Sequence, residues 1–201
     1  MNIQAMKQSL RQSIIAARLA VAPEERLRLS NEIAALVSEF ESYKEAATVL
    51  GYMNFGAEFA AEIFVQQALQ DGKQVLLPKV NNNTKQLDLY HVTDLARDVA
   101  AGNWNIREPI IERCKLVEDL TTVDFILLPG VAFGIDGSRL GYGGGFYDKL
   151  LASMSHQPTL VAAAYALQVV ENIPQENTDR KVEWLITEQN TIHCVALTQG
   201  Q

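Results

Sequence analysis

The chain has 201 residues, 48% of them hydrophobic and 20% charged, and carries a net charge of −7. A globular chain of this length buries about 70% of its unfolded surface, enough for one sizeable core. The acidic balance argues against a general nucleic-acid or anionic-membrane surface and leaves room only for a local basic pocket. No apolar run nears the roughly 18 residues of a membrane-spanning helix, and Met1–Lys7 lacks the charged-then-apolar pattern of a signal peptide. Cys114 and Cys194 have no metal-ligand spacing and read as reduced thiols, with a single disulfide as the alternative. The expectation is a cytoplasmic protein, monomeric or weakly dimeric, with no nucleic-acid or membrane partner.

In chain order, residues 3–19 have helical period, with Lys7, Arg11 and Arg18 as basic positions. Lys7 and Arg11 are four apart and share a face; by itself such a face reads as a solvated basic stripe. Pro23 followed by Glu24 and Glu25 starts a second helix, expected over 24–42 from Leu29, Ile33, Leu36, Val37 and Phe40. Residues 48–53 predict a buried strand, 58–70 a helix stopped by Gly72, 73–78 a short strand and 86–92 another. Residues 93–118 give no clear pattern. An apolar strand at 123–128 precedes the glycine-rich segment, and a helix over 146–154 follows it. Strands are expected at 159–166, 182–187 and 192–197, with a polar loop at 174–179. Strands alternating with helices predict one domain over 1–201, a three-layer α/β/α arrangement with a mostly parallel mixed sheet. In such sheets ligands gather beyond the carboxyl ends of the strands. That places Met53–Glu58, the glycine loop and Asp179 around one crevice.

Seven of the twelve glycines fall between Gly130 and Gly145, and four of them lie within Gly141–Gly145. Strand, glycine loop, helix is an arrangement that lets backbone N–H groups close on an anion. Arg139 adds fixed positive charge and Asp148 a hard oxygen of the kind Mg²⁺ prefers. The loop is not a Walker A motif, because Gly145 is followed by Phe146, Tyr147 and Asp148 and not by Lys-Ser/Thr. Nor is it a dinucleotide fingerprint, because Phe146 stands where the third small residue belongs. A plain tight turn is the competing reading; polar groups converging on the loop favour a ligand site.

The run from Arg139 to Asp148, Arg-Leu-Gly-Tyr-Gly-Gly-Gly-Phe-Tyr-Asp, resembles the signature of the 5-formyltetrahydrofolate cyclo-ligases, also called 5,10-methenyltetrahydrofolate synthetases. The resemblance extends over nearly the whole chain: Lys7 and Arg11, the strand followed by Glu58, the segment Trp104–Pro109, Gln168, and Pro174 … Asp179 … Val182 follow in family order. It implies ATP- and Mg²⁺-dependent cyclisation of 5-formyltetrahydrofolate, with or without a polyglutamate tail, to 5,10-methenyltetrahydrofolate. It further implies that Lys7 and Arg11 bind phosphates and that Arg139, Gly141, Tyr142, Gly143, Gly144, Gly145 and Tyr147 wrap the triphosphate. Asp148 and Asp179 would hold the metal, with Arg139 and Asp148 the catalytic pair. Met53, Glu58, Trp104, Tyr142 and Phe146 would contact the folate. The plainer roles for these residues are a helix-start acid for Glu58, a turn former for Asp179, and core positions for Met53 and Trp104. His91, His156 and His193 form no cluster and read as structural or surface residues. Three positions depart from the family pattern: Gly134 where an acid is common, Thr178 where histidine is, and Phe146 where tyrosine is. A non-catalytic reduced-folate or nucleotide-binding protein of the same fold is the alternative, supported by Gly134 and Thr178; a sugar-phosphate enzyme is a more distant one.

Overall fold

A computed structural model describes residues 2–102 and 106–194. Helix α1 (Ile3–Ala20) begins where the Asn2 side chain accepts the Gln4 N–H. Helix α2 (Pro23–Glu39) begins with Pro23, whose missing N–H costs nothing in a first turn, and with two acids at the positive end of the helix dipole. The single helix expected over 24–42 is two: the backbone is extended at Phe40 and restarts as α3 (Glu41–Glu45). The break turns the Phe40 ring against the edge of Trp184, 4.9 Å between centroids.

The remaining elements are β1 (Thr48–Leu50), α4 (Ala61–Gln70), β2 (Gln74–Asn81), β3 (Gln86–Val92), α5 (Leu95–Asp98), β4 (Val99–Ala101), β5 (Arg107–Pro109), β6 (Lys115–Val117), β7 (Phe125–Leu127), β8 (Ala132–Gly134), β9 (Arg139–Leu140), α6 (Phe146–Ser153), β10 (Thr159–Ala163), β11 (Val169–Val170), β12 (Trp184–Ile186) and β13 (Thr191–His193). The main sheet runs β13-β12-β10-β7-β1-β2-β3-β6. Its five inner strands, from β12 to β2, are parallel, and the edges are antiparallel. Val49 on β1 sits opposite Val75 on β2 and Phe125 on β7.

Because side chains alternate across a strand, neighbouring residues feed two cores. Val49, Phe125 and Leu127 pack with Leu29, Ile33 and Val37 of α2 and Phe64 and Val65 of α4. Leu50, Ile126 and Leu128 pack on the other face with Leu150 of α6. Each fully buried aliphatic or aromatic side chain contributes about 1.5–3 kcal/mol. These two cores hold the three layers together.

The pattern-poor stretch 93–118 contains α5, the β4–β5 hairpin and edge strand β6. Buried Asp98 organises its start, accepting the Thr93 and Asp94 N–H groups at 2.8 and 3.0 Å. The helix expected from residue 58 begins at Ala61, which leaves Glu58 in the β1–α4 connection. The segment before the glycine loop is also more structured than expected. β8 and β9 form a hairpin and, with β11, a small sheet. Ile14 of α1 packs on it with Val131, Ala132, Leu140 and Ile173. Strand β10 stops at Ala163, and the part of the last expected strand beyond residue 194 lies outside the described residues. Cys114 and Cys194 are both free thiols.

Candidate active site

The carboxyl ends of β1 and β7 open into a cavity of about 1000 Å³. One wall is the β1–α4 connection, with Tyr52, Met53, Phe55 and Glu58; the opposite wall is the glycine loop from Arg139 to Asp148. Lys7 and Arg11 of α1 and residues 176–180 close one end, while Pro78, Val80, Ile106 and Arg107 line the other. Every site residue expected from the sequence lines this cavity except Trp104, which lies outside the described residues.

The loop meets the conformational demand read from its glycines. Gly143 has φ +102°, a region closed to most side chains, and Gly145 is left-handed (φ +64°) at the residue that starts α6. Gly145 has no side chain to cap that helix, so the first-turn N–H groups face the loop without a side-chain acceptor. Below the loop, the buried Gln168 amide donates to the Gly130 and Val131 carbonyls at 3.2 and 3.0 Å and accepts the Tyr165 N–H at 3.0 Å. That fixes the level at which β7 hands the chain to the small sheet.

Two cations of the site, Arg139 and Lys7, are buried and already matched to carboxylates. Arg139, 7% exposed, donates from Nη2 to Asp148 Oδ1 at 2.7 Å and from Nη1 to the Pro129 carbonyl at 3.2 Å; its Nε has no partner among the described residues. Asp148 Oδ1 also accepts the Arg180 N–H at 3.0 Å, which brings the 176–180 segment against α6. Lys7, 4% exposed, donates to Asp179 Oδ2 at 2.6 Å and Glu176 Oε2 at 2.9 Å. Burial pulls its ammonium pKa down, but Asp179 and Glu176 more than offset this and leave it above 10.5. The solvated stripe that Lys7 and Arg11 suggested by themselves is therefore not what forms. Lys7 is a buried ion-pair partner, and half-buried Arg11 donates from Nε to the Gly141 carbonyl at 2.8 Å.

Asp179 also has the turn role weighed for it, since Oδ2 accepts the Glu176 N–H at 2.8 Å. Asp148 Oδ2 and Asp179 Oδ1 accept no hydrogen bond among the described residues. Met53 is both a core residue and a cavity residue, 8% exposed.

Glu58 accepts the Phe55 N–H at 2.7 Å in a tight connection, not in a helix first turn. Burial raises its carboxyl above 4.5; the Phe55 N–H, the Tyr142 hydroxyl and Arg18 pull the other way and offset part of the rise. Across the cavity mouth, the Phe55 and Tyr142 rings meet edge to face with centroids 6.4 Å apart. Phe55 and Glu176 are not candidates from the sequence, and Arg18 is there only one of three basic positions on the first helix. Arg18 had a signal, because residues 7, 11, 14 and 18 recur on one helix face. Glu176 and Phe55 had none, because their roles arise from contacts with distant segments.

The departure at Gly134 has a local structural counterpart. A Cβ at residue 134 would overlap Ser138 Oγ and lie 2.6 Å from Asp136 Oδ1, so the Asp136 carboxylate fills the space beside this glycine. Asp136 pairs with Lys181 at 2.6 Å and accepts from the Ser138 N–H and hydroxyl at 3.0 and 2.6 Å. Burial pushes its pKa up, but Lys181 and Ser138 outweigh that and hold it at about 2. Two of the histidines make packing contacts: the His156 ring bonds the Val123 carbonyl at 2.6 Å, and exposed His193 stacks on Trp184 at 4.3 Å.

A family model described as the 5-formyltetrahydrofolate cyclo-ligase family matches residues 3–188. The 5-formyltetrahydrofolate cyclo-ligase of Escherichia coli strain K12 is 29% identical over 171 residues, 85% of this chain and 93% of that one. The structure of Aquifex aeolicus 5,10-methenyltetrahydrofolate synthetase superimposes with a TM-score of 0.82 at 31% identity, covering 98% of this chain and 95% of that one. A 5,10-methenyltetrahydrofolate synthetase from Mycoplasma pneumoniae shares the fold, with a TM-score of 0.72 at 21% identity over 90% of this chain and 98% of that one.

Proposed function

The chain belongs to the 5-formyltetrahydrofolate cyclo-ligase family, and we propose that it couples ATP cleavage to the cyclisation of 5-formyltetrahydrofolate into 5,10-methenyltetrahydrofolate, releasing ADP and phosphate. The observation that carries this reading is one cavity with two chemically different halves. A glycine loop with Arg139, Lys7 and Arg11 suits a polyphosphate. A largely apolar wall with the buried carboxyls of Glu58 and Glu108 suits a flat heterocycle with N–H groups.

The residues fit both phosphate and metal. The loop offers N–H groups without side-chain caps, and Arg139 Nε is a buried donor awaiting an acceptor. Asp148 Oδ2 and Asp179 Oδ1 would hold Mg²⁺, which takes one or two carboxylates together with phosphate oxygens and water. When bound there, the metal would neutralise charge building on the transferred phosphoryl group.

A formamide oxygen is a poor leaving group. Its attack on the γ-phosphorus forms a P–O bond and expels ADP. The folate's neighbouring aryl amine then attacks the activated formyl carbon, loses its proton, and phosphate departs with the C–O electron pair. The protein need supply no covalent nucleophile. Arg139 would stabilise the in-flight phosphoryl group, Lys7 and Arg11 would hold the remaining phosphates, and Glu58 would orient the ring system.

The test is the near-UV absorbance of methenyl product formed from 5-formyltetrahydrofolate, ATP and Mg²⁺, with each component omitted in turn. Product that requires all three is expected. Folate binding without ATP consumption would instead identify a binding protein of this fold.

A further inference from the structure

Helix α1 reaches the cavity through Lys7 and Arg11, but its third inward cation, Arg18, stops short of it. Arg18 is 2% exposed. Nη2 donates to the Tyr142 hydroxyl at 2.8 Å, while Nε and Nη1 have no partner among the described residues. The Glu58 carboxyl acts on it through space, but its one hydrogen-bond partner is a neutral hydroxyl, an arrangement that is costly for a buried guanidinium. Its contacts show what it holds in place. The guanidinium lies 6.0 Å from the centre of the Tyr142 ring, next in sequence to Gly141, whose carbonyl Arg11 grips at 2.8 Å. The helix thus holds two consecutive residues of the glycine loop. Tyr142 in turn meets Phe55 edge to face, and the Phe55 N–H is bonded to Glu58 at 2.7 Å.

We propose that Arg18 is a positioning residue that transmits occupancy of the phosphate loop to the folate wall, through Tyr142 and Phe55 to Glu58. The inference rests on the two-substrate reading above. Phosphate closing the loop orders Gly141 and Tyr142; with Tyr142 tethered to Arg18, its ring is held against Phe55, and the connection carrying Glu58 is set for the second substrate. Binding of either ligand therefore tightens binding of the other, as coupling through a contiguous network requires.

The experiment is a double-mutant cycle with Arg18→Met and Tyr142→Phe, reading the dissociation constant of 5-formyltetrahydrofolate with and without Mg²⁺ and a non-hydrolysable ATP analogue. In the wild type the analogue should tighten folate binding by about fivefold or more, within the usual range of coupling between sites. Each single variant should reduce that gain to about twofold or less, and the double variant should lose no more than either single one, because both break the same link. Tyr142→Phe keeps the ring and removes the hydroxyl that is Arg18's one hydrogen-bond partner, so it breaks the link from the loop side and carries the test where Arg18→Met does not fold. A wild-type gain preserved in Tyr142→Phe, or lost melting temperature with the gain intact, overturns the proposal. A wild type that makes product without any gain overturns the coupling and leaves the reaction standing; one that binds neither ligand overturns both.

Discussion

The Arg139 guanidinium and the Asp148 carboxylate are joined at 2.7 Å beneath the glycine loop, so the residue expected to meet phosphate and the one expected to meet metal neutralise each other. Asp148 also anchors the Arg180 backbone, yet its remaining oxygen is free of protein partners among the described residues. Asp148→Asn keeps the shape and the backbone acceptor while removing the charge. Turnover should fall by about 100-fold or more, the scale of losing one charge-stabilising group, and the melting temperature should fall too, because buried Arg139 loses its counter-charge. Wild-type turnover in this variant would remove Asp148 from the reaction.

Lys7 and Asp179 form the second matched pair, at 2.6 Å between segments 172 residues apart. If Lys7 turns to phosphate when nucleotide arrives, Lys7→Ala should raise the KM for ATP by about 10- to 100-fold, the value of a charge-assisted hydrogen bond. The KM for folate should move far less. An unchanged ATP KM would mean that the amino-terminal helix only packs.

Glu58 makes a prediction about stability. Its folded-state pKa lies above 4.5 because burial outweighs the Phe55 N–H, the Tyr142 hydroxyl and Arg18. The folded protein therefore holds this proton more tightly than the unfolded chain, and ionisation opposes folding. The penalty is absent below the unfolded pKa and grows as pH rises through the folded one. Glu58→Gln never ionises, so its stability relative to wild type should improve in urea unfolding as pH rises above the ordinary carboxylate range. A difference that stays flat or shrinks with rising pH would contradict this assignment. The same variant should bind folate more weakly.

Gly134 and Asp136 compete for one place. Gly134→Asp alone should destabilise the protein by about 1–3 kcal/mol, because its Cβ meets the Asp136 carboxylate and Ser138 Oγ. Adding Asp136→Gly should recover part of that loss if the overlap is its cause. Urea unfolding of the two variants decides it: a Gly134→Asp protein as stable as wild type would show that the turn has room for both acids.

The glycine loop was readable because its requirement is local. Positive φ at Gly143 and Gly145, a strand before and a helix after are properties of a few consecutive residues. The buried helix faces were readable for the same reason; Leu29, Ile33 and Val37 repeat with helical period and land in the core. Residues 93–118 were opaque because their order depends on Asp98 gathering backbone N–H groups and on a short hairpin, neither of which leaves a period. The helix-start role weighed for Glu58 follows from an acid before an apolar run, which resembles a first turn; packing instead holds it in the connection.

By itself, then, the sequence determined the alternation of strands and helices, the family signature and the residues that line the cavity. Those follow from backbone freedom, hydrophobic period and motif order, which are set by near neighbours. Only the tertiary structure decided which charges meet. Lys7 is buried against Asp179, Arg139 against Asp148, Arg18 against the Tyr142 hydroxyl within the field of Glu58, and Asp136 pairs with Lys181. Ion pairs of this kind depend on how α1 and the late 176–180 segment dock on the sheet, and their strength on how much water that docking removes.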